Sequence, residues 1–282
     1  MARLVVVTHE FDRFVIWRKR WPSRTSLYLL FDVLREVEKL GHSWRVTAGP
    51  NPVKGDVALM HVDCTVVDEA YLALRSHYPR TYNFDTGDIS KRTVSLLRVM
   101  KGDSWPGPVI VKANLNAQGS MEAKHNGRAA RAGRPLPHPG APVTGPYEVF
   151  ERLDDVDEEV WSNPDLVVER FLPEIDDGAY VIRSWIFMGN RERCTRLVAP
   201  NQIVKAGKAI RYGPVEVPTE LRAERDRLKF DFGKFDIVIH DGKPILIDAN
   251  RTPGTALAIL PLIKAGVRNL AEGLDEMLRG RA

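Results

Sequence analysis

Three polar residues stand in otherwise apolar sequence towards the C-terminal end: Asp236, Asp248 and Asn250. They lie in two apolar runs, Phe235–His240 and Pro244–Asn250, on either side of Asp241-Gly242, a strong hairpin signal. A carboxylate is costly to bury unless something positive meets it, and an oxygen-only donor set suits Mg²⁺ or Mn²⁺. The register of the hairpin decides whether such a site exists. With a two-residue loop, His240 pairs with Lys243, Asp236 shares a face with Ile247, and Asp248 points away as an edge charge. With a three-residue loop and Gly242 left-handed in a bulge, Ile239 pairs with Lys243, and Asp236 shares a face with Asp248 and Asn250. Only the second arrangement makes a metal site, so it is the one expected. Two apposed acids repel without a cation between them, so Asp248→Ala is expected to cost activity and little fold.

Other polar residues admit plainer readings. Lys112 ends the apolar run that starts at Pro108, and an ammonium there can reach phosphate oxygens or simply meet solvent. The stretch Ala113 to Pro146 is short of large apolar residues, which reads as a functional lid or a loop, with a basic run Arg128 to His138 able to meet phosphates or water. The seven histidines show no metal-ligand spacing, and His61, Asp63 and Cys64 close an apolar strand, where core is the simpler reading. Two cysteines, Cys64 and Cys194, are too few for a disulfide framework and read as small buried hydrophobes. Trp17, Trp21, Arg18, Lys19, Arg20 and Arg24 follow the first strand, where α/β sheets place ligand sites; they can grip an acidic or peptide substrate, or form a surface patch or dimer contact.

The elements that must carry these residues are legible in outline. Strands are expected at Leu4–Thr8, Trp44–Thr47, Val57–Val62 and Arg80–Asn83, with a helix of apolar spacing Leu29, Leu30, Val33, Leu34, Val37 and Leu40, and another near 67–76. This is a small α/β unit with a largely parallel sheet. A helix Lys91–Met100 leads to the strand ending in Lys112; then come strands Leu166–Phe171, Tyr180–Met188 and Arg193–Val198, a helix from Thr219 to about Lys229, the hairpin, and a helical tail from Thr255. No internal repeat or coiled-coil period is present. With 282 residues, 44% hydrophobic and 28% charged, the chain is an ordinary globular one of one to three domains. Its 41 basic and 37 acidic residues imply no nucleic-acid surface, and the absence of a long apolar run implies neither a membrane span nor a signal peptide, so a cytoplasmic protein is expected.

The ordered series of polar residues resembles the ATP-grasp superfamily, the ligases joining carboxylates to amines that include D-alanine–D-alanine ligase, glutathione synthetase and the ribosomal-protein glutamate ligases. The family's hairpin pattern matches Lys234, Asp236, Asp248, Asn250 and Pro253-Gly254, and the resemblance covers roughly residues 80 to 260. It implies an α/β (α+β) fold: an N-terminal parallel-sheet domain at 1–88, a small lobe with a phosphate-covering loop at 89–168, and a large lobe with the metal hairpin at 169–282, the two lobes clasping ATP. By the same resemblance Lys91 and Lys112 hold ATP phosphates. Asn114 to Ser120, with Gly119, takes the place of the covering loop, though with one glycine where the family has several. Glu169, Arg170 and Leu172 present backbone to adenine with Phe171 packed nearby. Glu174, Asp176 and Asp177 compete for the ribose hydroxyls, Glu174 being favoured. Arg183 and Lys234 face the transferred phosphoryl group, and Arg251 reaches a substrate carboxylate or forms a plain salt bridge.

The implied chemistry is activation of a substrate carboxylate by Mg²⁺ (or Mn²⁺) and ATP, attack by an amine, and release of ADP and phosphate. Lysines, arginines and metal-binding acids without a Ser/His or Cys/His pair fit it, because neutralising a phosphoryl group needs little side-chain acid–base work. A phosphotransferase would present the same nucleotide site, and a non-catalytic nucleotide-binding interaction protein would keep the fold without turnover. The expected partners are small-molecule or peptide carboxylates and amines, with a homodimer left open.

Overall fold

The computed structural model describes residues 1–12, 28–254 and 260–281, with backbone only for 260–264; the Trp17/Trp21 cluster, Thr255 and Leu257 lie outside the described residues. Three sheets organise them. The first is parallel, in the order β2 (Ser43–Ala48), β1 (Arg3–Thr8), β3 (Val57–Met60), β4 (Arg80–Tyr82). Leu4, Val5, Val6 and Val7 are all fully buried, because a parallel sheet is covered on both faces and its strands read as unbroken apolar runs. One face packs under α1 (Leu29–Lys39); the other holds Val5, Val7, Ala58 and Met60 against Tyr71, Leu74 and Phe84, beside the short helix α2 (Glu69–Leu72).

The second sheet, β6 (Glu148–Phe150), β5 (Val109–Ala113), β7 (Leu166–Arg170), is antiparallel. Alternation along β5 and β7 sends Val109, Val111 and Val168 into an apolar cluster with Leu153 and Val156, and sends Ile110, Lys112 and Glu169 to the opposite face. The expected helix 91–100 is only α3 (Lys91–Val94). Beyond it Val99 N–H donates to Val168 O (3.0 Å), so pairing with β7 captures this segment and buries Leu97 and Val99. The stretch read as a lid or loop instead contains α4 (Ser120–Arg131). Its interior residues are Glu122, His125 and Ala129, so strong helix formers drive it without the large apolar positions a sequence pattern looks for. A short helix α5 (Glu158–Ser162) precedes β7.

The third sheet runs β11 (Arg211–Val215), β10 (Arg191–Ala199), β9 (Ala179–Met188), β12 (Phe232–His240), β13 (Lys243–Asn250), with β8 (Glu174–Asp176) on β9. Strands β6, β8 and β11 are absent from the sequence reading; each is short or, with Pro214, carries a residue that weakens strand signals. Between β11 and β12 lies α6 (Leu221–Arg227), and the last element is α7 (Leu260–Leu278). Leu270, Ala271, Leu274 and Met277 of α7 join Leu30 and Val33 of α1, Leu4 and Val6 of β1, and Met188 and Phe232 in one core, which fuses the first and third sheets. Cys64 and Cys194 are buried as expected, and burial pushes both thiols up to about 12. Among the described residues no helix is long and apolar enough to cross a membrane.

Candidate functional site

The polar face of the second sheet and one face of the third enclose a cavity of about 230 Å³, walled by Ile110 and Lys112 on one side and by Ile182, Asp236, Val238 and Asp248 on the other. It opens towards a wider cleft of about 910 Å³ that shares Tyr147, Tyr180, Gln202, Ile203 and Lys205 and is bounded by Gln118, Ser120 and Lys208.

The hairpin corrects the expected register. Asp241 (φ 49°) and Gly242 (φ 74°) form a two-residue turn with both central residues left-handed, and His240 pairs with Lys243. The three-residue loop is absent, yet the acids still meet. Ile237 pairs with Leu246 while Asp236 pairs with Asp248, so Ile247 is the extra residue of a bulge that shifts the register by one. The bulge does what the loop was expected to do.

Each acid carries its own cation. Asp248 accepts from Lys91 Nζ, and Asp236 Oδ2 accepts from Lys234 Nζ at 2.7 Å. Deeper in, Glu169, fully buried, accepts from Lys112 Nζ at 2.7 Å, and Lys112 also points at the bulge carbonyl of Ile247 (3.4 Å). Burial raises the Asp248 carboxyl, but Lys91, Lys234 and Lys112 outweigh it and hold the group below the ordinary carboxylate range. For Lys234 burial pulls the ammonium down, and Asp236 and Asp248 more than restore it, so its pKa ends raised. The expected repulsion between bare acids is therefore absent: removing Asp248 strands the buried Lys91 rather than relieving strain.

The other candidates divide. Phe171 and Leu172 line the cavity. Glu169 does not; its side chain is spent on Lys112, and Arg170, at the cavity edge, lays its guanidinium 5.5 Å from the Trp105 ring and donates to Leu96 O (3.2 Å). Glu174 reaches the cavity, but its Oε2 accepts from Arg183 and from Ile239 N–H (2.7 Å). Asp177, left-handed at φ 51°, is an exposed turn residue away from the cavity. Arg183 pairs in register with Ile237, one position out of phase with Asp236 and Ser184, so it lies on the strand face that Phe235 and Trp185 occupy. Asn250 shares the acids' face, opposite Lys234, but its Oδ1 accepts from Thr252 N–H (2.8 Å) and Thr252 Oγ1 (3.3 Å). Arg251 does not line the cavity and forms no salt bridge among the described residues. Fully buried, it donates to the carbonyls of Val62 (3.4 Å), Cys64 (2.7 Å) and Thr86, clamping the end of β13 to the first sheet. Gly119 (φ 74°) closes a left-handed turn with Ala117 (φ 46°) and Gln118 (φ 60°); a Cβ on it would sit 2.1 Å from Pro142 O, so only glycine fits. Ser120, next in line, begins α4 at the rim of the wide cleft.

Two residues carried no individual role in the sequence reading, although Asn116 lies within the segment matched to the covering loop. Asn116 accepts from Lys91 through Oδ1 and donates through Nδ2 to Ala249 O (3.0 Å), bridging the covering segment to β13. Tyr147 lines the cavity, where burial first and then Asp248, Glu169 and Asp236 push its phenol well above the ordinary value. Neither sits in a patterned run, so spacing offered no signal.

No protein-family model and no curated protein matches the sequence. Solved structures do resemble it. The D-alanine–D-alanine ligase from Bacillus anthracis complexed with ATP superposes with a TM-score of 0.51 at 13% identity, covering 100% of this chain and 99% of that one. The macrocyclase MdnC bound with precursor peptide MdnA, from Microcystis aeruginosa, gives 0.54 at 10% identity, covering 99% of each chain. The RimK domain ATP-grasp protein from Sphaerobacter thermophilus gives 0.50 at 12% identity, covering 96% of this chain and 99% of that one. With three sheets in this order, a cavity between the last two and full-length superposition on such proteins, the chain has the ATP-grasp fold.

Proposed function

We propose that the protein is an ATP- and Mg²⁺-dependent ligase that activates a substrate carboxylate as an acyl-phosphate and joins it to an amine, releasing ADP and phosphate. The observation that carries this reading is the set of matched charges: Lys91, Lys112, Asp236 and Asp248 line one small cavity, and Lys91, Lys112 and Lys234 are each held on a carboxylate in or behind its wall. The donor set fits the implied groups. Asp236 and Asp248, directly opposite, offer hard oxygens for Mg²⁺ or Mn²⁺, while Lys91 and Lys112 turn from their acids to phosphate oxygens. Asn250 joins the metal only by releasing the Thr252 hydroxyl. A nucleoside triphosphate with one divalent cation brings a net charge of about −2 to a site holding equal charges of both signs, and the lysine ammoniums meet that excess. When bound, the metal and nucleotide supply electrostatic stabilisation of the transferring phosphoryl group.

Phe171 and Leu172 form the apolar wall for the base, and Glu174 reaches a ribose hydroxyl as it gives up Arg183. Residues 1–88, 89–168 and 169–282 serve as the substrate-side domain and the two clasping lobes. Peptide carboxylates are the substrate class we favour: the 910 Å³ cleft beside the cavity is wide and lined by Lys205 and Lys208, and the similar macrocyclase MdnC is bound with a precursor peptide.

The test is calorimetric titration of a non-hydrolysable ATP analogue with Mg²⁺ into the parent, Asp236→Asn and the double variant Lys112→Met/Glu169→Gln, which removes the lysine without stranding its acid. The parent is expected to bind and both variants to weaken by tenfold or more, roughly the worth of one charge-assisted contact. A parent that does not bind overturns the nucleotide site. Phosphate released only with carboxylate and amine present marks the ligase; a phosphorylated product marks a phosphotransferase.

A further inference from the structure

Away from the cavity, the fold brings together three histidines that no sequence spacing links. His9 follows β1, His125 lies in α4, and His138 lies in the segment after it; one ring nitrogen from each lies within 4.8 Å of the others. The rings of His9 and His125 stack at 3.9 Å, and His125 Nδ1 is 3.4 Å from His138 Nε2. The cluster is held from outside: His138 N–H donates to Asn126 Oδ1 (2.9 Å) while Asn126 Nδ2 donates to His138 O (2.7 Å). On the other side, Phe11 N–H donates to His9 Nδ1 (3.1 Å), a bond that ligation by His9 gives up, since the ring nitrogens then carry the metal and the proton.

Among the described residues, two buried atoms there have no hydrogen-bond partner. His125 Nε2 has none, and neither has Glu122 Oε2, three residues earlier on the same face of α4, whose other oxygen accepts from Thr65 N–H (2.6 Å). Both residues are nine-tenths or more buried, where unpaired polar atoms are costly. We propose that His9, His125 and His138 form a zinc site that clips the first sheet to α4, with Glu122 supplying the compensating negative charge.

Three imidazoles with a carboxylate or solvent as fourth ligand is an ordinary zinc environment. Zn–N bonds of about 2.0–2.1 Å place tetrahedral nitrogens roughly 3.4 Å apart, so the rings must draw in and unstack. Rotation about χ2, a soft torsion for histidine, unstacks the rings and turns their nitrogens towards a common centre. Burial, reinforced by the neighbouring rings and Arg128, pushes His9 to about 3 and His125 to about 2, and burial lowers His138, each shift favouring the neutral form that a metal binds. Glu122 and Asp68 supply the opposing negative field, while Arg128 is turned to Phe11 O (2.6 Å).

The experiment titrates Zn²⁺ into the full-length, chelator-treated protein by calorimetry, with Co²⁺ absorption as a second readout of four-coordinate nitrogen ligation. The parent is expected to take up one equivalent, raise its melting temperature and give an intense tetrahedral Co²⁺ spectrum. His138→Gln, only half-buried and hence tolerant of change, and His125→Asn are expected to lose at least the roughly 10–100-fold affinity that even an outer-shell change costs; exposed His77→Gln is expected to match the parent. A parent that binds no zinc, or a folded His138→Gln that keeps the parent's affinity and cobalt spectrum, overturns the assignment.

Discussion

Lys112 and Glu169 offer a quantitative check on the charge-matched cavity. Glu169 is fully buried, Lys112 is 7% exposed, and 2.7 Å separates Nζ from Oε2. Coulomb's law at an effective dielectric near 20 puts their attraction at about 6 kcal/mol. Replacing Lys112 by Met loses that attraction and leaves a carboxylate whose second oxygen, Oε1, has no hydrogen-bond partner among the described residues. Part of the loss returns, because the ammonium no longer needs desolvating. The expected net cost of Lys112→Met is about 3–5 kcal/mol, the range for breaking a buried pair from one side. Glu169→Gln alone strands the ammonium instead. The double variant removes both charges and is expected within about 1 kcal/mol of the parent, so a coupling energy of roughly 3 kcal/mol or more emerges from the cycle. Urea denaturation of all four proteins, with unchanged m-values confirming a common unfolded reference, measures it. Lys112→Met as stable as the parent, or a double variant no better than the worse single, refutes the reasoning.

Arg251→Met removes the donor of the Cys64 and Thr86 carbonyls in a fully buried setting, while Val62 O keeps Cys64 N–H (3.0 Å); the expected cost is roughly 2–6 kcal/mol, at about 1–3 for each of the two groups, and Arg251→Lys recovers only part, which urea midpoints would resolve. A separate pH effect comes from Asp275 of α7. Burial raises its carboxyl, but His42 Nε2 (2.7 Å) and Arg279 Nε (2.8 Å) overcome that and hold it below the ordinary range. A depressed folded pKa stabilises the protein above the unfolded value, near 3.9, and the gain vanishes as pH falls through the folded value. The parent is therefore expected to exceed Asp275→Asn by about 1 kcal/mol at pH 7, a margin that closes below pH 4 in thermal melts; a margin that widens on acidification contradicts the assignment.

The sequence exposes the fold wherever apolar periodicity is undiluted, as in β1, β5, β9 and the two hairpin strands. It conceals the bulge for a physical reason: Ile245, Leu246 and Ile247 are all apolar, so nothing in the pattern marks which one is extra. Lys91, Lys112, Asp236 and Asp248 could be singled out because charge in an apolar run is conspicuous. Their pairing could not, since it depends on three elements meeting. Arg251 illustrates the same limit: a guanidinium beside two acids suggests a ligand contact, while its carbonyl partners at Val62, Cys64 and Thr86 are far away in sequence. α4 was hidden because Glu122 and His125 occupy its inner face where large hydrophobes normally announce a helix.

The core shared by α1 and α7 has a consequence for how the chain is made. The apolar face of Leu29–Lys39 is completed by a helix that begins at Leu260, roughly 220 residues later, and the C-terminal carbonyls of that helix are capped by Arg80 and Tyr82 of β4. At about 5–20 residues per second, the ribosome takes on the order of ten to forty seconds to deliver the partner. During that interval the cluster shared by α1 and the first sheet lacks Leu270, Ala271, Leu274 and Met277. Apolar surface of α1 and the first sheet is therefore exposed until the last helix arrives, and slow codons placed before residue 260 would lengthen that exposure.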